Sequence, residues 1–320
     1  MFRVLVPQPV HEAGLVHLRD RNCQVVPCPA TEEAVRELLP SCDGCVSKTF
    51  YLRTEWLRES KRLRVVGKHG VGWDNVVDAR AAEELGIWVV NTPEANAAAV
   101  AEHAIALMLA LARHIPQMDA SVRNGDWEYP ERAVSMDLAG KTLGLIGMGR
   151  IGRMVARKAG CGLDMRVLGH DPYAPESAFG DCVVRRESLM ELLAEADVVS
   201  LHLPGGENTR NTLGKKELAV MKPGAYLINC ARGSVVDQEA LVEALQAGKL
   251  AGAGLDVFDP EPLPAGHVLA QMENVVLTPH SAALSRDALL RMSLDACQGI
   301  ADVLEGKAPK WAVNHPKGGR

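Results

Sequence analysis

The feature that most restricts the fold is a glycine-rich turn near the middle of the chain. In KTLGLIGMGRIGRMVARKA (141–159), an apolar stretch runs directly into Gly147, Gly149 and Gly152, and a helical pattern follows. The first glycine permits a tight turn, the second lets backbone N–H groups approach a pyrophosphate, and the third lets the helix pack against the strand. The segment therefore predicts a strand–turn–helix unit that binds a dinucleotide.

An acidic residue downstream of this turn indicates which dinucleotide binds. Asp171 lies nineteen residues after Gly152, at the end of the next predicted strand, in the sequence LGHDPY. A carboxylate at that position accepts hydrogen bonds from the adenosine ribose hydroxyls and repels a 2′-phosphate. We therefore expect NAD as the cofactor in preference to NADP.

Short β-rich runs alternate with helical patterns along the chain. They fall at residues 3–6, 24–26, 44–46, 63–66 and 87–90 before the glycine turn, and then at 142–146, 166–169, 198–202, 226–229, 252–255 and 275–277. Strands separated by helices of this length form parallel βαβ units, so we predict an α/β fold with doubly wound parallel sheets. The N-terminal series precedes the dinucleotide unit, and its most direct role is to hold the substrate.

A long helical segment, NAAAVAEHAIALMLALARHI (96–115), lies between the two series. Helical spacing places five of its residues on one face, namely Ala99, Val100, His103, Leu107 and Leu111. The segment is apolar on almost every side, so we expect it to be buried between domains or subunits.

The composition disfavours several classes of partner. With 47% hydrophobic and 23% charged residues the chain is typical of a soluble globular enzyme, and its net charge of −5 provides no basic field for nucleic acid. The most apolar run, residues 104–112, is nine residues long and too short to cross a bilayer. The start, MFRVLVPQPV, lacks the apolar core of a secretory signal. We therefore expect a cytoplasmic protein whose partner is a small molecule, with no nucleic-acid or membrane partner.

The eight cysteines are scattered, which indicates a reducing compartment rather than a disulfide framework. One C-x-x-C, Cys42 to Cys45 in SCDGC, stands without a second pair at zinc spacing. An Asp-Gly turn that leads into a strand explains this segment without any ligand. We therefore expect no metal site.

Three later segments carry residues suited to proton and hydride transfer. In LINCARGSVVD, Arg232 follows an apolar strand, and its guanidinium offers a fork that matches a carboxylate. GLDVFDPEP contains Glu261, and LTPHSAA contains His280 nineteen residues later. A carboxylate bonded to one imidazole nitrogen fixes the tautomer and leaves the other nitrogen to exchange a proton with a carbonyl oxygen. Beside a dinucleotide unit, this set predicts hydride transfer to or from an α-keto or α-hydroxy acid.

Taken together, GVGWDN, GMGRIG, NCARGSVVD, GLDVFDPEP and TPHSAA resemble segments of the D-isomer-specific 2-hydroxyacid dehydrogenases, and the resemblance spans nearly the whole chain. This family includes enzymes acting on D-3-phosphoglycerate, D-lactate and glyoxylate or hydroxypyruvate. The resemblance implies that Arg232 binds the substrate and that His280 is the acid/base oriented by Glu261. It implies an NAD-dependent enzyme that interconverts a small D-2-hydroxy acid and its 2-keto acid, either D-3-phosphoglycerate dehydrogenase-like or, alternatively, a glyoxylate/hydroxypyruvate reductase.

The resemblance also implies which residues contact the cofactor. Arg150 and Ile151 would meet the pyrophosphate. Six further residues would surround the rest of the dinucleotide: His202, Pro204 and Thr209 near the adenine side, and Cys230, Ala231 and Asp256 at the nicotinamide end.

A separate set is implied for the substrate. The substrate carboxylate would meet backbone groups of three consecutive residues, Gly70, Val71 and Gly72, which agrees with their position as an anion nest after a strand. Lys48 stands in a Ser47-Lys48 pair where the phosphoglycerate enzymes usually have Arg-Ser, and a lysine there can meet an anionic tail only as a point charge.

The fold implied by the resemblance has two domains, and it leaves two rival functions. A flavodoxin-like, discontinuous substrate domain would span residues 1–98 plus 287–320, and a Rossmann NAD-binding domain would span 99–286, with the long helix helping to form a homodimer. Formate dehydrogenases resemble this family but have Gln where Glu261 stands, and a carboxylate favours chemistry in which a proton moves. A non-catalytic NAD-sensing protein can retain the same residues, and NADH consumption with 2-keto acids separates it from an enzyme.

Overall fold

The computed structural model describes residues 1–318 of the chain. They form two compact units: unit 1 is Met1–Asn96 together with the C-terminal segment that begins at Ala283, and unit 2 is Ala97–Ala282. Each unit has one sheet of parallel strands alternating with helices. The predicted class, α/β with two parallel-sheet domains, is confirmed, whereas the predicted domain limits at 98/99 and 286/287 stay a prediction.

The regular elements follow one another in strict alternation over most of the chain. The strands are β1 Phe2–Val6, β2 Cys23–Pro27, β3 Gly44–Ser47, β4 Val65–Lys68, β5 Trp88–Val90, β6 Thr142–Ile146, β7 Arg166–His170, β8 Val183–Arg185, β9 Val198–Leu201, β10 Ala225–Asn229, β11 Leu250–Leu255 and β12 Val275–Leu277. The α-helices are α1 Glu12–Asp20, α2 Glu32–Leu38, α3 Thr54–Glu59, α4 Ala79–Glu84, α5 Ala97–Ala112, α6 Ile115–Arg123, α7 Tyr129–Arg132, α8 Arg150–Gly162, α9 Leu189–Glu195, α10 Lys215–Val220, α11 Gln238–Gln246 and α12 Arg286–Leu304.

The sheet of unit 1 has the strand order β2-β1-β3-β4-β5. Successive side chains of a strand point to opposite faces, so strands covered by helices on both sides bury apolar residues on both. In β1, Val4 and Val6 pack with residues of α1 and α12, and Leu5 packs with residues of α2, α3 and α4. The carboxyl ends of β3 and β4 lead into the two loops that carry the predicted substrate-binding residues.

The sheet of unit 2 has the order β12-β11-β10-β9-β6-β7-β8, with all strands parallel. The chain winds outward from β6 in both directions, and ligands of such sheets bind beyond the carboxyl ends of the strands where the order reverses. The glycine turn follows β6 at that point. The edge strand β8 was not predicted, because three residues are too few to show alternation and Val184 is 46% exposed.

Helix α5 packs against β10, β11 and β12 of the same unit. Four residues of the predicted face are buried and His103 is partly exposed; the four are Ala99, Val100, Leu107 and Leu111. Among the described residues no single helix is long and apolar enough to cross a membrane, and α5 and α6 meet that test only as a pair bent by 58°.

Candidate functional site

The glycine turn after β6 is shaped by close backbone contacts. Gly147 has φ +97°, and a Cβ there would lie 2.6 Å from the carbonyl oxygen of His202. A Cβ on Gly152, in the first turn of α8, would lie 2.1 Å from the carbonyl oxygen of Gly147. Gly149 precedes α8 as its N-cap and has no atom within 4 Å of the Cβ position, so this side of the turn is open. The two outer glycines are thus required by packing, and the middle one leaves room for a ligand beside Arg150 and the start of the helix.

Asp171 lies directly beside this turn, as the motif spacing requires. Its Oδ2 accepts a hydrogen bond from the Met148 N–H at 2.9 Å, and its Oδ1 accepts from the N–H groups of Tyr173 and Ala174 at 3.0 and 3.1 Å. The carboxylate is therefore held in place before any ribose binds. An open glycine position next to a fixed carboxylate fits a dinucleotide.

The loop after β9 supplies the opposite side of the turn. The His202 N–H donates to the carbonyl of Ile146 at 2.8 Å, and its ring Nε2 lies 2.9 Å from Ser200 Oγ. Desolvation lowers the pKa of His202 to about 4, so its imidazole is neutral at pH 7. The Thr209 hydroxyl donates to the carbonyl of Pro204 at 2.7 Å and closes the loop. These predicted cofactor residues build one loop next to the glycine turn, with the His202 ring already bonded within the protein.

The carboxyl end of β10 is held by an asparagine that the sequence reasoning missed. Asn229 is 1% exposed; its Oδ1 accepts from the Ala231 N–H at 3.0 Å and its Nδ2 donates to the carbonyl of Arg232 at 2.9 Å. Both hydrogen bonds fix the turn in which Cys230 and Ala231 are buried. Burial raises the pKa of the Cys230 thiol, which therefore stays protonated. The available signal was a polar residue at the end of an otherwise apolar strand.

Arg232 follows this turn and lies against small residues. Its Nη1 donates to the carbonyl of Ala231 at 2.8 Å, and its stem covers Gly205, where a Cβ would lie 2.7 Å from Arg232 Cγ. A Cβ on Gly233 would lie 1.9 Å from the carbonyl oxygen of Phe258. Gly205 and Gly233 are therefore both needed, because a side chain at Gly205 would collide with Arg232 and one at Gly233 would collide with the backbone of Phe258.

His280 and Glu261 form the pair that the sequence predicts. His280 Nδ1 lies 2.8 Å from Glu261 Oε2, and Glu261 Oε1 accepts from the Phe258 N–H at 2.9 Å. Burial by itself would raise the pKa of Glu261, but the hydrogen bonds from His280 and Phe258 and the charge of Arg232 outweigh it and lower that pKa. Glu261 therefore links the three predicted catalytic residues, because His280 is bonded to its carboxylate and the charge of Arg232 acts on it.

The surroundings of this pair are apolar. A recess of about 550 Å³ adjoins it, formed by Phe258, Glu261, Pro262, Leu263, Leu277, Thr278, Pro279 and His280. The side chains of His280 and Glu261 are 45% and 34% exposed, so a small molecule can reach them. Apolar walls reduce the competition of water for the hydrogen bond between imidazole and carboxylate.

Asp256 is predicted to contact the nicotinamide end of the cofactor, but its carboxylate is hydrogen-bonded within the protein. It is 1% exposed, and its carboxylate accepts from the Thr278 hydroxyl at 2.6 Å and from the N–H groups of Ser281 and Ala282 at 2.8 and 2.9 Å. Its backbone carbonyl accepts from the His280 N–H at 2.8 Å. Asp256 therefore organises the turn that carries His280, and its predicted contact with nicotinamide stays a prediction.

In unit 1, the predicted substrate-binding backbone is a strained turn after β4. Gly70 has φ +132°, which favours glycine, and its N–H already donates to Thr92 Oγ1 at 3.1 Å. Asn91 Nδ2 donates to the carbonyl of Val71 at 2.8 Å. The predicted anion nest therefore depends on the N–H groups of Val71 and Gly72.

Basic residues surround this turn, and one of them, Lys68, was not predicted. Lys68 is 6% exposed; its ammonium donates to the carbonyl of Lys48 and to Asn75 Oδ1, the latter at 3.2 Å. His69 is 5% exposed, and its Nε2 has no hydrogen-bond partner among the described residues. Burial, together with the charges of Lys48 and Lys68, lowers the pKa of His69 to about 4. The ends of β3 and β4 are therefore electropositive.

Comparisons with known proteins agree with both the fold and the motifs. Residues 105–282 match the family model described as "D-isomer specific 2-hydroxyacid dehydrogenase, NAD binding domain". The chain is 39% identical over 318 residues to a D-3-phosphoglycerate dehydrogenase of Archaeoglobus fulgidus, covering 98% of this chain and 60% of that protein. It is 38% identical over 319 residues to a glyoxylate reductase of Korarchaeum cryptofilum, covering 98% of this chain and 96% of that protein.

A solved structure with a similar fold is that of an NADPH-dependent glyoxylate/hydroxypyruvate reductase from Sinorhizobium meliloti in complex with citrate, with a TM-score of 0.89, 30% identity and full coverage of both chains. The chain spans 50% to 60% of the length of four D-3-phosphoglycerate dehydrogenases that it matches. The family model covers more than half of the chain, and the glyoxylate reductase is matched along nearly its whole length. This chain belongs to the D-isomer specific 2-hydroxyacid dehydrogenase family.

Proposed function

We propose that this protein is an NAD-dependent oxidoreductase that interconverts a small D-2-hydroxy acid and its 2-keto acid. The observation that carries the proposal is the 2.8 Å hydrogen bond between His280 Nδ1 and Glu261 Oε2, with the charge of Arg232 acting on the same carboxylate. Arg232 is the substrate anchor, His280 is the acid/base, and Glu261 orients its ring. NAD, when bound, supplies or accepts the hydride.

The pair leaves one nitrogen of His280 free to act on the substrate. Because the pKa of Glu261 is lowered, this carboxylate is ionised at neutral pH and can only accept a hydrogen bond. His280 Nδ1 must then carry a proton, and Nε2 is the atom that gives its proton to a keto oxygen in reduction. In oxidation Nε2 takes the hydroxyl proton. Arg232 holds the substrate carboxylate by paired N–H bonds, which aligns the carbon beside it.

The first test is NADH consumption with a panel of 2-keto acids: glyoxylate, hydroxypyruvate, pyruvate, oxaloacetate and phosphohydroxypyruvate. Turnover of at least one, and formation of the D-enantiomer where the product is chiral, is the expected result. If NADH binds and none of the acids is reduced, the enzyme proposal fails and the NAD-sensing alternative takes its place.

Within this class, we propose an anionic tail on the substrate, as in D-3-phosphoglycerate. Lys48 and the buried Lys68 place positive charge at the ends of β3 and β4, beside the turn of Val71 and Gly72. The alternative, a glyoxylate/hydroxypyruvate reductase, needs no such charge. The ratio of kcat/KM for phosphohydroxypyruvate to that for hydroxypyruvate decides between them, and a ratio below one favours the alternative.

For the cofactor, we propose NAD in preference to NADP on account of Asp171. Its carboxylate is fixed by three backbone N–H groups beside the glycine turn, where a 2′-phosphate would be repelled. Gly147, Gly149, Arg150, Ile151 and Gly152 would meet the pyrophosphate, and the remaining predicted cofactor residues would line the rest of the site. Titration with NADH and NADPH tests this choice, and equal affinity for both would refute it.

We further propose a homodimer in the cytoplasm. The segment α5–α7 and the loop after it expose large apolar side chains, namely Leu109, Ile115, Val122, Trp127 and Val134. Apolar side chains gathered in one segment are typical of a subunit interface. All eight cysteines are free thiols, as expected in a reducing compartment. Light scattering coupled to size-exclusion chromatography tests the dimer, and cell fractionation tests the location.

A further inference from the structure

A chain of three hydrogen-bonded side chains leads from helix α5 to the turn that carries His280. His103 Nε2 lies 2.9 Å from Thr278 Oγ1, and the Thr278 hydroxyl donates to Asp256 Oδ1 at 2.6 Å. His103 Nε2 is also 3.6 Å from the same carboxylate oxygen. The proton-transfer chemistry described above uses neither His103 nor Thr278.

The hydrogen-bond directions in this chain follow from donor and acceptor counting. Both oxygens of Asp256 accept N–H or O–H groups, so the single proton of the Thr278 hydroxyl points to the carboxylate. The hydroxyl oxygen must then accept from His103, because a hydroxyl has only one proton to donate. His103 therefore carries a proton on Nε2.

Asp256, the last residue of this hydrogen-bonded series, supports the backbone at His280, the proposed acid/base. His280 has φ +50°, a left-handed conformation that a residue with a Cβ adopts only at an energetic cost. The carbonyl of Asp256 binds the His280 N–H, and its carboxylate binds the two amides that follow, at Ser281 and Ala282. If the Asp256 carboxylate turns, the Ser281 and Ala282 amides lose their acceptor and this conformation loses that part of its support.

We propose that His103 is a positioning residue for His280. By donating to Thr278, it orients the hydroxyl toward Asp256, and Asp256 in turn holds the left-handed turn that presents His280 to Glu261. The kinetic part of this inference rests on the proposed function, since it needs a proton-transfer step at His280. The structural part concerns hydrogen bonds within unit 2 and does not depend on turnover.

The kinetic test compares His103→Leu with His103→Gln, because the Gln side-chain amide can replace the Nε2–H donor and Leu cannot. We expect His103→Leu to lower kcat about tenfold while the Kd for NADH changes less than twofold. We expect His103→Gln to recover most of the loss. The matched control is Glu102→Gln in the same helix, whose carboxylate pairs with Lys158 at 3.1 Å and is 66% exposed. The control should keep wild-type kcat.

A double-mutant cycle shows whether His103 acts through His280. In the His280→Gln background, the further change His103→Leu should leave kcat unchanged, because the group being positioned is already gone. A tenfold loss in that background would overturn the proposal. So would an unchanged kcat for His103→Leu alone, or a loss in His103→Gln as large as in His103→Leu, since packing alone would then explain it.

A second readout does not require turnover. With ¹⁵N-labelled histidine in the protein without cofactor, the ring signals of His103 should show the proton on Nε2, and Thr278→Val but not Thr278→Ser should shift them. His103→Leu should in addition shift the ring signals of His280. If no keto acid is reduced but these shifts occur, the proposed function fails and the positioning chain stands. If the His280 signals do not shift, His103 does not position His280 and the proposal is overturned.

Discussion

The carboxyl edges of the two sheets share one architecture and differ in how their polar groups are satisfied. In unit 2, His280 is bonded to Glu261, and the Asp256 carboxylate accepts hydrogen bonds from three residues of the turn that carries His280. In unit 1, the corresponding edge gathers Lys48, Lys68 and a buried His69 whose Nε2 has no partner among the described residues.

Two histidines with lowered pKa values, one in each unit, show this difference. Both His202 in unit 2 and His69 in unit 1 have pKa values lowered to about 4, mainly by desolvation. The ring of His202 is bonded to Ser200, whereas His69 lies near two lysines that lower its pKa further. Proton transfer needs side chains held in one geometry, and anion binding needs positive charge near the ligand. We therefore propose that proton transfer and the anchoring of the substrate carboxylate belong to unit 2, and that unit 1 recognises the anionic tail of the substrate.

The strongest way to break this division is His280→Gln. We expect kcat to fall by on the order of 10²-fold or more, because a positioned acid/base contributes about that much. Steady-state kinetics with the best keto acid, and NADH titration, measure the two quantities. The Kd for NADH should stay the same, and the control His315→Gln, an exposed residue of unit 1, should keep wild-type kcat. Near wild-type turnover of His280→Gln would refute its role.

Arg232→Met tests whether unit 2 also holds the substrate carboxylate. We expect the KM for the keto acid to rise about thirtyfold, in line with the loss of hydrogen bonds to a charged group, and kcat to fall as the substrate loses alignment. The control is Arg210→Gln, which breaks a surface ion pair with Asp259 of 3.1 Å. An unchanged KM in Arg232→Met would place the carboxylate elsewhere.

The lowered pKa values of His69 and His202 predict the pH dependence of stability in each unit. A histidine with a folded pKa of about 4 binds fewer protons than the unfolded chain between pH 6.5 and 4, so stability falls as the pH falls through that window and levels off below it. For His69 the loss between pH 7 and pH 5 is about 2 kcal/mol.

Amide hydrogen exchange at pH 7 and pH 5, followed separately for the two units, measures this effect. His69→Gln should flatten the pH dependence of protection in unit 1 and leave unit 2 unchanged, and His202→Gln should do the reverse. If either variant alters both units equally, the effect is not local to the unit that contains the substituted histidine.

The smallest effect is expected for Lys48→Gln, since Lys48 is a partly exposed point charge. We expect kcat/KM to fall about fivefold for phosphohydroxypyruvate and to stay within twofold for glyoxylate. Lys61→Gln, an exposed lysine of the same unit, is the matched control. Equal losses with both substrates would show that Lys48 does not contact an anionic tail.

Much of the fold could be predicted because its signals are local. Alternating apolar runs and helical spacing located eleven of the strands and the buried face of α5, and the strand–turn–helix context located the glycine turn. The missing strand, β8, has three residues at a sheet edge and carries no alternation. Local sequence patterns therefore located the longer strands and helices, and they missed β8 because three residues are too few to form such a pattern.

The candidate site was predictable only in part. The pairing of Glu261 with His280 was anticipated from the chemistry of a carboxylate and an imidazole, and the structure shows the bond. The hydrogen bonds of Asp256 within the turn that carries His280 were not predicted, and neither was the contact between His103 and Thr278. Nor was the burial of Lys68, since in sequence a lysine at a strand end suggests a solvated charge.

From the sequence alone we could predict the α/β class, the glycine turn with its acidic residue, and the residues that we propose transfer a proton. Only the tertiary structure shows which polar groups stabilise the site through hydrogen bonds within the protein. His103 and Thr278 are 175 positions apart in the chain, and no periodicity or motif links residues at that separation. Their contact exists because α5 packs across the carboxyl-terminal strands of the sheet, where a buried carboxylate must find donors or be destabilised.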